Sequence, residues 1–403
     1  MGVDSLRPGT AADRVDGEVP PRVGEPDSAQ AFADTLKHAS AERLPTVIRG
    51  GGTKLSWGRP PSTVDLVVAT TRLNRLIAHR HGDLTVTVQA GMKLRDLNAA
   101  LGLERQWLPI DSAFDEATIG GIVATNDAGP SRHRHGTPRD LVIGITLALA
   151  DGRVAKAGGT VVKNVAGYDL GKLVSGSHGT LAGIVDVTFK LVPIPQTSAT
   201  LVAGYTDPAA FAHDVAVLDA TQIEPAAFDI RADAGETPFQ LKLRIATSPA
   251  ACDAQIAAAR ALVSGQPTLL TDVAEQATWA AQLDVLTHGD PVVRFAWLPA
   301  RLPQVLGLLA ELPRVEDVQV MFAGRVAGSG MARLSGQTSA LAAAVGRLRA
   351  SSDVGNVVLL RGSRELKERV DVWGPERPSD RVARAVKQSL DPAGILNAGR
   401  GPI

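Results

Sequence analysis

The sequence has 403 residues, enough for two or three domains of ordinary size, and 44% of them are apolar, enough to fill substantial cores. Forty-two basic residues balance 42 acidic ones, which argues against nucleic acid or an acidic surface as the main partner. One cysteine, Cys252, excludes an internal disulfide and any iron–sulfur cluster held within this chain; a cluster in the electron path needs another polypeptide.

Residues 1–24 carry charges, prolines and glycines but no apolar h-region, so they read as a flexible tail. Met1-Gly2 lacks the Ser or Thr that myristoylation requires at the sixth position, where Leu6 stands. Nothing approaches ~18 uninterrupted apolar residues, so no direct membrane span is expected. The chain reads as cytoplasmic, peripheral to an inner membrane only through partners.

A helix is expected over 28–40, followed by a strand into Val47-Ile48-Arg49-Gly50-Gly51-Gly52-Thr53-Lys54. Residues without Cβ let successive backbone N–H groups close around an anion. Four more glycine-bearing segments follow: Gln89-Ala90-Gly91, Ala117-Thr118-Ile119-Gly120-Gly121-Ile122, His135-Gly136-Thr137 and Ser175-Gly176-Ser177-His178-Gly179-Thr180-Leu181. One such segment is only a turn. Five, most of them beside strand-like stretches (64–69, 84–89, 141–149 and 183–192, with a helix over 93–101), suggest one extended ligand held by backbone, and a dinucleotide fits. The Rossmann pattern is absent, because Gly52 leads to Gly58-Arg59-Pro60-Pro61 rather than to a helix. Gly167-Tyr168-Asp169-Leu170-Gly171-Lys172-Leu173 has the wrong spacing for a phosphate-binding P-loop.

Pro193-Ile194-Pro195 ends this first domain. Beyond it an order of elements occurs twice. Residues 199–271 read strand 200–205, helix 208–218, strands 226–230 and 240–246, helix 250–263, strand 267–270. Residues 291–361 repeat it as 292–298, 303–312, 318–322, 330–335, 339–350 and 354–360, with a helix containing Trp279 between the halves. Each half is βαββαβ, the ferredoxin-like order. Two such units sharing one sheet are expected, with a single irregular α+β domain as the alternative. Residues 381–400 read as a helix and then an Asp-Pro turn.

In order along the chain, these segments resemble the FAD-binding domain of the vanillyl-alcohol oxidase type, also called PCMH-type. The likeness runs through 48–54, 84–91, Leu108-Pro109-Ile110-Asp111, 117–126, 136–142, 149–153 and 179–185. Lys163-Asn164-Val165-Ala166-Gly167-Tyr168-Asp169-Leu170 and Asp391-Pro392-Ala393-Gly394-Ile395-Leu396-Asn397-Ala398-Gly399-Arg400 look most like the smaller FAD-binding subunit of bacterial glycolate oxidase. The resemblance implies an α+β chain: a two-part PCMH-type domain over 25–195, a ferredoxin-like cap over 196–375, and a segment 376–403 returning to the FAD domain. It also implies FAD as cofactor, a larger flavin subunit and an iron–sulfur subunit as partners, and oxidation of glycolate or a similar 2-hydroxy acid. A noncatalytic or electron-relaying FAD subunit, and a stand-alone FAD-linked oxidase of another alcohol or sugar, are the alternatives.

Carried over position by position, Ile48 would join the cofactor site, and Arg49, Gly50, Gly51, Gly52, Thr53, Lys54, Gly120 and Gly121 would hold the pyrophosphate, with Arg49 and Lys54 adding charge. A solvated side chain is the alternative for Lys54. Thr118, Asn126, Gly176 and Gly179 would reach the flavin edge, Ile184 would lie against adenine or ring, and Pro109, Asp111, His135 and Asn397 complete the set. Thr53 stands where some relatives attach flavin through a histidine, so FAD is expected to be noncovalent, with His133 and His135 the remaining candidates for a link. For substrate, Arg294, Arg325 or Arg361 would bind a carboxylate and His288 would be the base; a surface arginine and a structural histidine are the plainer readings. Only His213 and His288 occur after residue 195, so no metal site is expected.

Overall fold

The computed structural model describes residues 6–161, 167–233 and 238–401. The stretch Lys163-Asn164-Val165-Ala166 of the glycolate-oxidase-like motif lies outside the described residues. The chain is a mixed α/β fold of two compact units: Met1–Ala128, Gly136–Ile194 and Glu376–Ile403 form the first, and Gly129–His135 with Pro195–Pro375 the second. The segment Gly129–His135, expected with the first domain, belongs to the second unit.

In the first unit, β1 (Leu6–Pro8), β2 (Arg22–Gly24), β3 (Thr46–Arg49) and β4 (Leu66–Ala69) form a sheet of order β1-β2-β4-β3. The β1–β2 pair is antiparallel and the other two pairs are parallel. The helix Ala29–Ala41 is capped by Ser28, whose side chain accepts from Ala31 N, and it buries Phe32, Ala33, Leu36 and Ala39 along one stripe. That stripe packs against Leu66, Val68 and Val185. A second sheet contains β5 (Leu76–Arg80), β6 (Thr85–Gln89), β8 (Val142–Ala148), β9 (Val154–Gly158) and β10 (Gly183–Lys190), in the antiparallel order β5-β6-β10-β8-β9. Two short strands, β7 (Gln106–Trp107) and β11 (Val192–Pro193), pair beside it. The helices Leu94–Gly102 and Ile119–Thr125 bury Leu97, Leu101, Ile122 and Val123 in the core of this sheet.

Residues 6–24 depart from the expected flexible tail. Val15 and Val23 are fully buried in a cluster with Val47, Val64 and Val67, and Asp13 is 1% exposed. Charges that read as solvated in sequence are paired in three dimensions: Asp13 lies 2.8 Å from Arg7 and 2.8 Å from Arg49. The Arg7 guanidinium, above all, holds the Asp13 carboxyl far below the usual carboxylate range, against the desolvation of burial.

At the other end, the helix Asp380–Leu390 leads into a turn whose Ile395 and Leu396 are buried. Leu396 bridges Thr46 in parallel, with Thr46 N donating to Ile395 O and Asn397 N to Thr46 O, each at 2.8 Å. Lys387 Nζ donates to Thr180 O at 2.7 Å and Leu396 O at 3.0 Å and pairs with the buried Asp391. This segment is therefore sewn to the strand that precedes the triple glycine.

The second unit has one antiparallel sheet of eight strands: β12 (Thr197–Tyr205), β13 (Ala227–Ala232), β14 (Phe239–Thr247), β15 (Gln266–Leu270), β16 (Val292–Ala296), β17 (Gln319–Arg325), β18 (Ser329–Ser335) and β19 (Gly355–Arg361). Their order is β15-β12-β14-β13-β17-β18-β16-β19. Each set of four, with its two helices, is a βαββαβ run of strand order 4-1-3-2, and the second strands β13 and β17 join the runs, with Asp229 opposite Arg325.

The connecting helix Asp272–Thr287 docks on this sheet through polar side chains. Glu275, 3% exposed, accepts from Ser198 Oγ at 2.6 Å, Thr200 Oγ1 at 2.7 Å and Arg244 Nε at 3.1 Å. Lys242, on β14, is 2% exposed and donates to Thr278 O at 3.2 Å; burial, helped by Arg231, pushes its pKa down to about 8. A lysine with a depressed folded-state pKa costs stability while both states are protonated, and the cost fades as pH rises through the folded value toward the unfolded one. Urea unfolding at pH 7.5 and pH 10 should show the stability of the wild type improving relative to Lys242→Met by up to about 1.4 kcal/mol per pH unit. An identical pH response in both proteins would refute the depressed pKa.

Candidate cofactor site

Within the first unit one cleft gathers the end of β3, the triple glycine, the start of the helix Ile119–Thr125, the His178-Gly179 turn, Ile184 of β10 and the C-terminal residues Asn397 and Arg400. Ile48, Arg49, Gly50, Gly51, Gly52, Thr53, Lys54, Thr118, Gly120, Gly121, Gly179, Ile184 and Asn397 all line it. Pro109, Asp111, Asn126 and Gly176 belong to the same unit but not to its lining, and His135 belongs to the second unit.

The glycines are required chiefly by protein neighbours. A Cβ on Gly50 would stand 2.0 Å from Thr118 Oγ1, and one on Gly51 would stand 1.8 Å from the Glu116 carbonyl oxygen. Gly52 has φ +75°, a left-handed conformation that favours glycine, with no atom nearer than 3.7 Å to an added Cβ. Among the described residues, none accepts a hydrogen bond from the backbone N–H of Gly50, Gly51, Gly52 or Thr53. Opposite them, Thr118 Oγ1 is buried without a hydrogen-bond partner. A row of unsatisfied donors beside an orphaned hydroxyl suits the phosphate oxygens of FAD.

Three expectations need correction. The stretch around Gly120-Gly121 begins a helix rather than forming a loop, and the Gly120 N–H donates to Ala90 O at 2.7 Å, so it is not available to a phosphate. Gly120 is glycine because an added Cβ would lie 2.8 Å from that of Ala90. Arg49 does not offer a free charge: Nη2 binds Asp13 at 2.8 Å and Nη1 donates to Ala12 O at 3.2 Å. Lys54 is neither solvated nor unpaired. Its Nζ lies 2.9 Å from Asp127 Oδ2, both side chains are under a tenth exposed, and the Trp57 and Phe114 rings lie 5.6 and 5.2 Å away.

Asn126 takes the left-handed position after the helix Ile119–Thr125 and accepts from Arg139 N at 3.1 Å, which makes it a helix stop. Asn397 does join the site: its Oδ1 accepts from Ile48 N at 3.3 Å and its Nδ2 donates to His178 O. Arg400, which ends the stretch Asp391 to Arg400 that resembles the glycolate oxidase subunit, is 5% exposed. It donates to the Leu55 and Trp57 carbonyls and pairs with Asp16 at 3.2 Å.

The substrate candidates all lie in the second unit. Arg294 is half-buried in the middle of β16, opposite Met331 and Val358. His288 is exposed at the end of the helix Asp272–Thr287, its Nδ1 2.8 Å from Thr287 Oγ1. Arg361 is held by Asp290 and by the Leu286 and Gly289 carbonyls. Arg325 is buried, with Nε donating to Gly129 O at 3.2 Å. In the Gly129–His135 segment the His133 ring meets Phe228 edge-on, and burial lowers its pKa.

Comparison with known proteins agrees with the cleft. Residues 20–158 match the FAD binding domain family. The glycolate oxidase subunit GlcD of Bacillus subtilis is 36% identical over 212 residues, 52% of this chain and 45% of that protein. The glycolate oxidase subunit GlcE of Escherichia coli is 36% identical over 179 residues, 44% and 51% respectively. A D-lactate dehydrogenase of Archaeoglobus fulgidus is 34% identical over 171 residues, 42% and 38%. The matched region thus spans about half or less of each of these relatives. In fold, alkyldihydroxyacetonephosphate synthase matches 99% of this chain and 84% of its own, with a TM-score of 0.71 at 14% identity. Among the described residues no helix is long and apolar enough to cross a membrane.

Proposed function

We propose that this chain is the FAD-binding subunit of a glycolate oxidase or dehydrogenase complex, acting on glycolate or a similar 2-hydroxy acid. The observation that carries the reading is the cleft, lined by Gly50 to Thr53 and by Thr118 with its partnerless buried hydroxyl, in a chain that is 36% identical over part of its length to two glycolate oxidase subunits. Bound noncovalently there, FAD would supply the two-electron acceptor for the substrate C–H bond. The chain's own part is to hold the pyrophosphate by backbone, with Asn397, Gly179 and Ile184 lining the rest of the cleft. The two βαββαβ runs, with strand order 4-1-3-2, support reading the second unit as a ferredoxin-like cap over 196–375. A larger flavin subunit and an iron–sulfur subunit are the proposed partners, since one cysteine cannot hold a cluster.

A second reading has the oxidation performed by the larger subunit while this chain binds FAD and completes the complex. The state of the substrate candidates favours it: Arg361 is already bound and His288 stands in solvent. The purified chain should show flavin absorbance, and anaerobic glycolate distinguishes the readings. Bleaching places substrate oxidation on this chain. Bands that persist until the partner subunits are added move it to the complex, and a colourless protein that takes up no FAD would defeat both.

A further inference from the structure

We propose that residues 6–24 form a clamp on the glycine loop, with Asp13 and Asp16 as positioning residues for cofactor binding; this rests on the FAD reading of the cleft. The clamp grips the loop on both sides. Before it, Asp13 Oδ1 accepts from Arg49 Nη2 at 2.8 Å, and Arg49 immediately precedes Gly50. After it, Asp16 pairs with Arg400, whose guanidinium donates to the Leu55 and Trp57 carbonyls. Three glycines carry more backbone freedom than any other tripeptide, and aligning their N–H groups on an anion costs that freedom unless the flanks are already fixed.

Asp13 is built to be rigid. It is 1% exposed and accepts from Arg7 at 2.8 and 3.0 Å, from Thr10 N at 2.9 Å and from Thr10 Oγ1 at 2.8 Å, besides Arg49. Val15, between the two carboxylates, is fully buried with Val47 of β3, and Leu55 packs on the same cluster. The FAD-domain match begins at residue 20, so both aspartates precede it. The arrangement also inverts the expected role of Arg49. Its charge is neutralised by Asp13, which leaves the anion to the backbone donors.

The test measures FAD affinity by quenching of flavin fluorescence in the full-length chain, alongside hydrogen exchange of peptide 50–57 without FAD. Asp13→Asn and Asp16→Asn should each raise the Kd at least tenfold and speed that exchange, well below their melting temperatures, and Asp16→Glu should restore both. If Arg49 were instead a phosphate ligand restrained by Asp13, Asp13→Asn would tighten FAD binding, which overturns the proposal, as does an unchanged Kd. Should Asp13→Asn fail to fold, Asp16→Asn, at the more exposed of the two carboxylates, carries the same two readouts. Should even the wild type bind no FAD, that reading falls, and the exchange of peptide 50–57 still decides the clamp: faster in the variants supports it, unchanged overturns it.

Discussion

Gly51→Ala should yield a protein that retains no FAD and is less stable by about 1–3 kcal/mol, the usual cost of inserting a methyl group into packed structure. The added Cβ would stand 1.8 Å from the Glu116 carbonyl oxygen and 2.9 Å from its carbon, and backbone cannot swing aside as a side-chain tip can. Either the glycine loop or the chain entering the helix at Ala117 and Thr118 must move, and both line the cleft or lead directly into it. Gly52→Ala separates the two reasons for glycine here. Its position is open, so only the positive φ opposes alanine, at about 1–2 kcal/mol, and the loop should keep its place against Glu116. Melting temperature and flavin content of the two purified variants check this. A flavin-replete Gly51→Ala with an unchanged melting temperature would show that the loop does not rest on Glu116.

The second unit was readable because its signals are local. Apolar alternation marks the strands, and Pro208 and Pro249 open their helices at the first turn, where a missing N–H costs nothing. The glycine segments were readable for a related reason, since a forced absence of Cβ leaves its mark at one position. The helix Ile119–Thr125 was not, because two glycines oppose a helix by propensity and only the burial of Ile119, Ile122 and Val123 overrides it. The hairpin of residues 6–24 was also hidden, since Asp13 and Arg49 are 36 positions apart and charges so spaced look solvated in a sequence. The same blindness applied to Lys54, whose partner, Asp127, lies far along the chain, just after the helix Ile119–Thr125. Pairing across distance, not the amount of charge, decided whether each residue was exposed.

Lys54→Met should cost about 3–5 kcal/mol, the penalty for leaving a buried charge without its partner. An exposed pair would be worth under about 1 kcal/mol, but here both side chains are less than a tenth exposed, and Asp127 gains only a 3.4 Å contact from Ser112 Oγ. Adding Asp127→Asn removes the stranded charge, so the double variant should recover most of the lost stability, measured by urea unfolding. Flavin content then separates two roles for Lys54. The pair ties the glycine loop to the chain that leaves the helix Ile119–Thr125, so if tying is its purpose, FAD should return in the double variant together with stability. If instead the ammonium itself holds a phosphate, the double variant should be stable and colourless. The geometry favours tying, because Nζ is already shared between Asp127 and the faces of Trp57 and Phe114, and that leaves the anion to the backbone.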